Sequence, residues 1–527
     1  MSVQETPGTA AGGRHGYDVV DWIAYHATVN PYGIAMRELP SGRVQTYGQM
    51  HDRVGRLAAA LGSRGVGKDD RVAFLMPNST DVLDLVFATW RLGGLALALN
   101  FRLSAQELEF ILQDAGAKLV VYDQTMRDLV AGISAPSVDH WLDTTGDGGP
   151  STLESAISAQ HTPVCDRLPQ QLQDPCMLMY SSGTTGRPKG VIITHGMIHF
   201  SASGSFGPCR TSSGSTSLAA MPLFHIAAMN VSCLPLLAIG ATCVIMRAFE
   251  PDAVMAALCD PALGVSHFFA VPAAFNALRQ VPGAETRDFS RLVTVISGAE
   301  TVPGPLVSWW ADRGVQILEG YGLTETASAG CLLPHRDVAR KHGSTGLPTM
   351  YGPMKIMKDP ATPAGPDELG EIWVGGAVVT PGYWNMPEAT QEAFHDGWFR
   401  TGDIGRKDCE GYLYIEDRLK DMYISGGENV YPAEVENVIY SHDAVAEVAV
   451  IGVPDPKWGE VGCAVIVPRP EAHIAKSDIA DLCSGRLARF KTPAHIIVID
   501  ELPRNGAGKV LKHQLRKMVE TGDIQYS

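Results

Sequence analysis

An alternation of short apolar runs with capped helical stretches restricts this chain more than any other feature. Arg71 to Met76 (RVAFLM) reads as a buried strand, Pro77, Asn78 and Ser79 supply a turn and cap, and a helix from Asp81 to Leu92 is stopped by Gly93 and Gly94. The grammar then repeats. Ser104 and Glu107 stand at capping-box spacing, Leu108, Ile111, Leu112 and Ala115 recur at helical spacing, Gly116 closes the helix, and Leu119 to Tyr122 resumes as strand. Strands that alternate with helices pair in parallel, because the helix carries the chain back across the sheet. Further strands are expected at Cys243–Met246, His267–Val271, Thr294–Ile296 and Gln316–Leu318, each ending in a Gly- or Pro-containing turn with polar residues. Open parallel sheets bind ligands beyond such strand ends.

The expected fold is therefore α/β: a large N-terminal domain with parallel-type sheets flanked by helices, residues 16–419, and a small mobile α+β C-terminal domain, residues 420–527, with residues 1–15 as a disordered tail. The small unit begins after Asp417-Arg418-Leu419-Lys420-Asp421. Its strands are predicted at Val445–Val453, Cys463–Val467 and His495–Ile499, with helices at Ser477–Ala488 and Leu511–Met518. The Ser/Gly-rich stretch Ser201–Ser217 is expected to be a surface loop.

Composition agrees with several folding units. The chain has 527 residues, 45% hydrophobic and 19% charged, a globular profile that excludes disorder over most of its length. Lys and Arg total 42 against 57 Asp and Glu, a formal charge of −15, so the bulk field repels nucleic acid and anionic membranes. The most apolar stretch, Val231–Met246, holds Pro235 and Gly240 and falls short of the ~20 apolar residues of a membrane helix. No signal peptide is expected from the polar opening, and the scattered Cys without a CxxC pair argue for reduced thiols in a cytoplasm.

Chemistry concentrates at Tyr180-Ser181-Ser182-Gly183-Thr184-Thr185-Gly186-Arg187-Pro188-Lys189-Gly190. The glycines let backbone N–H groups approach an anion, the hydroxyls donate to phosphate oxygens, and Arg187 and Lys189 add charge, a combination suited to polyphosphate. It is not a Walker A loop, because Lys189 is followed by Gly190 and the turn leads into a strand. A surface hairpin rich in turn residues is the competing explanation.

With Gly320-Tyr321-Gly322-Leu323-Thr324-Glu325-Thr326, Gly370 to Val374, Trp398 to Asp403, Asp417 to Asp421 and Pro503 to Lys509, this turn resembles the adenylate-forming superfamily of acyl-CoA synthetases and related ligases. The resemblance runs from about Gln45 to Lys512. It implies an ATP-dependent acid–CoA ligase that uses Mg²⁺ and coenzyme A, acting on a medium-to-long fatty acid or an aryl or arylalkyl acid. The alternatives are an enzyme that loads a carrier-protein phosphopantetheine, and a catalytically silent scaffold. It further implies that Ser181, Ser182, Gly183, Thr184, Thr185, Gly186 and Lys189 cradle phosphates, with Thr184 and Glu325 at Mg²⁺. Ala299, Glu300, Gly320, Tyr321 and Gly322 would meet adenine, Thr324 the α-phosphate, and Asp403 and Arg418 the ribose.

Lys420 matches the hinge about which the small domain turns. Arg102, Gly426, Gly427, Trp458, Phe490 and Lys491 match the coenzyme A site, against a reading of Trp458 and Phe490 as core aromatics. His225 would gate the tunnel between the acyl and coenzyme A sites, and Ala227, Ala228, Met229, Phe269, Val271 and Ser328 would wall the acyl pocket. No Asp lies between Phe224 and Met229, which points to an uncharged acyl tail. A homodimer, and a lysine acyltransferase and deacylase acting on Lys509, complete the partners the pattern implies.

Lys509 is the expected catalytic lysine, bridging the attacking carboxylate and the α-phosphate. Lys509→Ala is expected to abolish acid-dependent ATP–pyrophosphate exchange while still converting supplied acyl adenylate to thioester. Loss of both half-reactions would remove that role.

Overall fold

The computed structural model describes residues 18–39, 41–181, 188–300, 302–418, 421–425, 428–456, 458–470, 472, 474–483, 486–504 and 510–525, with the side chains of residues 417, 418, 428, 429 and 476 left out. Strand Arg71–Leu75 lies parallel to Leu95–Ala98 on one side and Ala117–Asp123 on the other, and helices Thr80–Arg91 and Ala105–Ala115 make the crossovers. Ser104 and Glu107 form the reciprocal capping box, and Gly116 ends the helix at φ +61°, in the left-handed region that favours glycine. Ser79, by contrast, makes no side-chain cap. The Thr80 N–H and hydroxyl both donate to Glu38 Oε2, at 3.0 and 3.1 Å, so a carboxylate from a neighbouring strand holds the helix N-terminus.

Helix Thr80–Arg91 is buried on every side, which forces its charges to find partners. Arg43 and Arg53 reach Asp81 at 2.8 and 2.7 Å, and Arg53 reaches Asp84 at 2.8 Å.

The first sheet has six strands, parallel until the closing hairpin of Pro175–Ser181 and Lys189–Thr194. A second sheet has nine, with a parallel centre running from Ile317–Tyr321 through Thr294–Ser297, His267–Ala270, Thr216–Ala219 and Thr242–Met246 to Ile34–Leu39, and antiparallel strands at its edges. One hydrophobic core, including Met36, Phe74, Leu218, Phe268 and Trp310, joins both sheets. A third sheet is antiparallel throughout, so the large domain is not built from parallel-type sheets alone. Its strands Met354–Asp359 and Gly370–Val374 are linked by a short hairpin segment with no crossover helix, which permits only antiparallel pairing.

In the C-terminal unit, Gly459–Pro468 pairs antiparallel with Val445–Asp455 and parallel with His495–Val498. Helices Pro432–Tyr440 and Lys476–Cys483 pack Val435, Ile439 and Ile479 into one core, and Lys512–Thr521 packs Leu515 into another. Among the described residues no helix is long and apolar enough to cross a membrane.

The expected surface loop at Ser201–Ser217 is corrected. Helix His195–Ser205 takes its first residues, strand Thr216–Ala219 its last, and Ser201, Ser215 and Ser217 are buried. Hydroxyls survive burial there because they are used: Ser201 Oγ donates to the Ala327 carbonyl at 3.1 Å, and Ser215 Oγ accepts from Ser212 N–H at 3.0 Å.

The turn after Arg71–Leu75 stitches the two main sheets together. Asn78 Nδ2 donates to the Met221 and Met246 carbonyls at 2.9 and 3.0 Å, and its Oδ1 accepts from Leu223 N–H at 2.8 Å. All of these contacts are buried. Asn78→Ala strands two carbonyls and one N–H, and is expected to lower stability by about 2–4 kcal/mol in denaturant unfolding.

Candidate active site

A cavity of about 270 Å³ lies at the ends of the second-sheet strands, where the third sheet and the C-terminal unit close over it. Strand Ile317–Tyr321 delivers Gly320 and Tyr321, and strand Trp398–Lys407 delivers Asp403. Tyr321 Oη donates to Asp403 Oδ2 at 2.6 Å, which fixes a buried carboxylate beside an aromatic face. Ala299 holds φ +71°, and a Cβ at Gly298 would sit 2.6 Å from the Gly320 carbonyl oxygen, so the turn Gly298–Ala299 is pressed against the next strand. The Asn276 amide oxygen is buried in the wall with no hydrogen-bond partner among the described residues, an acceptor suited to an exocyclic amine of a base.

The phosphate turn itself, Ser182, Gly183, Thr184, Thr185, Gly186 and Arg187, lies outside the described residues, but both of its legs are described. Ser181 pairs with Lys189 in the hairpin, and Lys189 Nζ lies 4.9 Å from the centre of the Tyr383 ring. Tyr383 Oη donates to Glu325 Oε1 at 3.0 Å. Tyr383 thus brings together two residues that the sequence places far apart. Burial, with the Glu325 charge beside it, pushes the Tyr383 hydroxyl well above its ordinary value and keeps it a donor. Thr324 begins the single helical turn that carries Glu325. Among the described residues no group of three or more His, Cys, Asp or Glu could hold a metal. A cation beside Glu325 would draw its remaining oxygens from phosphate and water, which is the habit of Mg²⁺.

Glu300 faces the C-terminal unit. Its Oε1 accepts from Val510 N–H at 3.0 Å and lies 3.7 Å from Arg504, which also reaches Glu447 at 2.9 Å. Arg504 and Val510 pair with each other and so bracket residues 505–509, Lys509 included, which lie outside the described residues, as do Lys420, Gly426 and Gly427. Arg418 pairs with Asp403 through the backbone, and its side chain is not described.

A second cavity, about 120 Å³, shares Ala299, Gly320, Tyr321 and Gly322 with the first. Ala227, Phe269 and Ser328 line it as expected, whereas Ala228, Met229 and Val271 do not. The reason is helical geometry. In Ile226–Ser232, Ala227 shares a face with Asn230 and Val231, which turns Ala228 and Met229 into the core, while Val271 caps the next helix. His225 is the N-cap residue of Ile226–Ser232, its ring 4.3 Å from that of Phe224, which in turn meets Phe101 at 5.1 Å. Among the described residues no Asp, Glu, Lys or Arg lines this cavity, and burial pushes the imidazole of His267 down toward neutrality.

A third cavity, about 800 Å³, is lined by Phe101, Arg102, Pro222, Arg247 and Phe249 and by no described residue of the C-terminal unit. Trp458 and Phe490 are exposed, which excludes the core-aromatic reading, and Lys491 pairs with Glu434 at 2.7 Å.

A family model described as "AMP-binding enzyme" matches residues 23–384, and one described as "AMP-binding enzyme C-terminal domain" matches residues 434–509. The chain is 39% identical to a feruloyl-CoA synthase of Amycolatopsis sp, over 94% of this chain and 98% of that protein. It is 38% identical to the long-chain-fatty-acid–CoA ligase FadD13 of Mycobacterium tuberculosis, again over 94% and 98%. The structure of an o-succinylbenzoate coenzyme A synthetase of Bacillus subtilis with ATP and magnesium ion superposes with TM-score 0.84 at 31% identity, covering 95% of this chain and 100% of that one.

Tyr383, Asn276, Arg504 and Glu319 line or support the cleft without having been singled out by spacing. Glu319, directly before Gly320-Tyr321-Gly322, and Arg504, inside Pro503 to Lys509, stood at recognisable signals, whereas Tyr383 and Asn276 did not. Burial pushes the Glu319 carboxyl up to about 8, partly offset by the Gly343 N–H. A carboxyl whose folded value lies above the unfolded 4.5 costs stability as pH rises from about 4.5 through 8. Glu319→Gln is expected to match the wild type in unfolding free energy near pH 4.5 and to exceed it by on the order of a few kcal/mol at pH 8.5.

Proposed function

The chain belongs to the AMP-binding enzyme family and is an ATP-dependent acid–CoA ligase, and we propose that the acid it activates is an aryl or arylalkyl acid with a single ring. One observation carries this choice over a medium-to-long fatty acid: the acyl cavity measures about 120 Å³ and has no charged wall. A cavity of about 150 Å³ holds one benzene ring, so this one is on the scale of a single ring and far short of a long alkyl chain.

In the first half-reaction a carboxylate oxygen attacks the α-phosphorus of ATP, an acyl adenylate forms, and pyrophosphate leaves. Tyr321 and Asp403 hold base and ribose, with Asn276 as the acceptor for the base amine, while Thr324 and Lys189 meet phosphate oxygens. Glu325, oriented by Tyr383, and Thr184 would hold Mg²⁺, which when bound offsets charge on the departing pyrophosphate. Lys509 belongs to the segment between Arg504 and Val510, which pair with each other and both meet Glu300.

In the second half-reaction the thiol of coenzyme A attacks the adenylate carbonyl, the carbon–oxygen bond to AMP breaks, and the thioester is released. Rotation about Lys420 would exchange the lysine turn for Gly426 and Gly427 at the cleft. Arg102 in the third cavity suits the nucleotide end of coenzyme A, with Trp458, Phe490 and Lys491 closing over it, and His225 suits a gate to the thiol. Coenzyme A is favoured over a carrier protein because relatives matched over nearly their whole length are CoA ligases, and a silent scaffold is disfavoured by the intact Tyr321–Asp403 and Tyr383–Glu325 pairs.

A pyrophosphate-release screen with coenzyme A tests the size argument. Cinnamate- and benzoate-type acids are expected to exceed fatty acids of twelve or more carbons by roughly tenfold or more in kcat/KM. Equal or better turnover of the long chains would overturn it.

A further inference from the structure

Helix Ala105–Ala115 closes on an acidic residue, the electrostatically disfavoured choice for that end. Asp114 is its penultimate residue, no basic side chain stands in the last turn, and a carboxylate there faces the negative pole of the helix dipole. Its partners come from far along the chain. Tyr180 Oη donates to Asp114 Oδ2 at 2.5 Å, while the Trp384 indole N–H and the Asn385 amide donate to the Asp114 backbone carbonyl at 3.1 and 2.9 Å. Arg71 takes the next two carbonyls, Ala115 at 2.5 Å and Gly116 at 2.6 Å, with its guanidinium 5.6 Å from the centre of the Trp384 ring. Carbonyls that a helix end leaves unpaired are used here to collect distant segments.

Two of those segments lead to the cleft. Tyr180 directly precedes Ser181, which pairs with Lys189 across the hairpin that carries the phosphate turn. Tyr383, directly before Trp384, is the residue that meets Glu325 and Lys189. Gly190 is their crossing point: it pairs with Tyr180, its carbonyl accepts from Trp384 N–H at 2.7 Å, and a Cβ on it would stand 2.9 Å from the Tyr180 ring and 3.2 Å from Trp384 Cβ. Tyr180 and Trp384 also pack on the core that Leu108, Ile111 and Leu112 of the same helix help to form. Apolar packing alone does not fix where along the helix the hairpin sits; a directional bond from Tyr180 to Asp114 does. Burial and the Asp114 carboxyl push the Tyr180 hydroxyl well above its ordinary value, so it stays a donor.

Resting on the reading of the turn after Ser181 as the ATP phosphate site, we propose that Asp114 is a positioning residue for adenylation: its carboxyl holds Tyr180, and through Tyr180 the Ser181 leg of that turn. ATP then meets a leg already in place, and less ordering is left to be done on binding. The acyl adenylate carries no β- or γ-phosphate, so thioester formation from it draws far less on this placement.

Tyr180→Phe and Asp114→Ala each delete the bond and leave the backbone carbonyl to Trp384 and Asn385, whereas Asp114→Asn keeps an acceptor for Tyr180. With the acid turned over fastest in the pyrophosphate-release screen, KM for MgATP in ATP–pyrophosphate exchange is expected to rise on the order of tenfold in the first two and to stay near wild type in the third. The double variant is expected to be no worse than the more affected single one, since one bond is lost only once. All variants should convert supplied acyl adenylate to thioester at the wild-type rate, a separation that a general loss of structure would not produce. A KM within about twofold of wild type in Tyr180→Phe, or equal loss of both half-reactions, overturns the proposal. Tyr180→Phe removes one oxygen and decides the matter if Asp114→Ala does not fold. Lys189→Ala distinguishes the two ways of failing. If it leaves KM for MgATP unmoved, the turn is not the ATP phosphate site and the role of Asp114 goes with it; if it raises KM while Tyr180→Phe does not, Asp114 alone loses its role.

Discussion

The geometry of the catalytic half depends on one side-chain amide. Asn78 leaves the first sheet and satisfies three backbone groups at the ends of two second-sheet strands. Two sheets packed through an apolar core can slide, because hydrophobic contact has no direction; three hydrogen bonds to fixed backbone atoms cannot. What Asn78 holds is the start of everything that follows. Leu223 leads into Phe224, His225 and the helix carrying Ala227 and Asn230, and Met246 leads into Arg247, which is tied back to Asp123 of the first sheet at 2.6 Å. The acyl wall and the third cavity thus share one registration point.

Around that frame the protein manages its charge locally. The chain is strongly acidic, yet several of its cations are kept on carboxylates: Lys491 on Glu434, and, at the cleft, Arg504 on Glu300 and Glu447 and Lys512 on Glu436. Such partly exposed pairs are worth little, typically ~0–1 kcal/mol, so a phosphate can displace a carboxylate at small cost. Deep pairs behave differently. Arg53 is held by Asp81 and Asp84 of the buried helix Thr80–Arg91 and by Glu154 as well, which suits it to fixing structure, not to exchanging ligands.

Local grammar made much of this legible in the sequence. The Ser104 and Glu107 cap, the Gly116 stop and the strand Thr294–Ser297 that ends before Gly298 follow from short-range chemistry, and short-range chemistry is what a sequence displays, whereas Tyr321 and Asp403, the latter inside strand Trp398–Lys407, were reached through the resemblance. Long-range partnership was hidden. Nothing beside Asn78 announces the Met221 and Met246 carbonyls, and nothing beside Tyr383 announces Glu325. Ser201–Ser217 misled because serine and glycine content describes an exposed chain equally well as a buried one whose hydroxyls have found carbonyls. Ala228 and Met229 misled because a segment was matched as a string, while a helix presents it as a cylinder.

The boundary between the two cavities has a consequence of another kind. Ala299, Gly320, Tyr321 and Gly322 line both, while the remaining walls of the second cavity come from helices His195–Ser205, Ile226–Ser232 and Leu234–Ala238, strand ends and loops that do not line the first. Ser232 and Thr349 thus belong to the second cavity without lining the first, whereas Asn230 also holds the Ala327 carbonyl that ends the turn of Thr324 and Glu325. Inheritance can keep one energy-coupling engine intact and vary the fuel, and relatives named for ferulate, long-chain fatty acids and succinylbenzoate are what such a partition would leave behind.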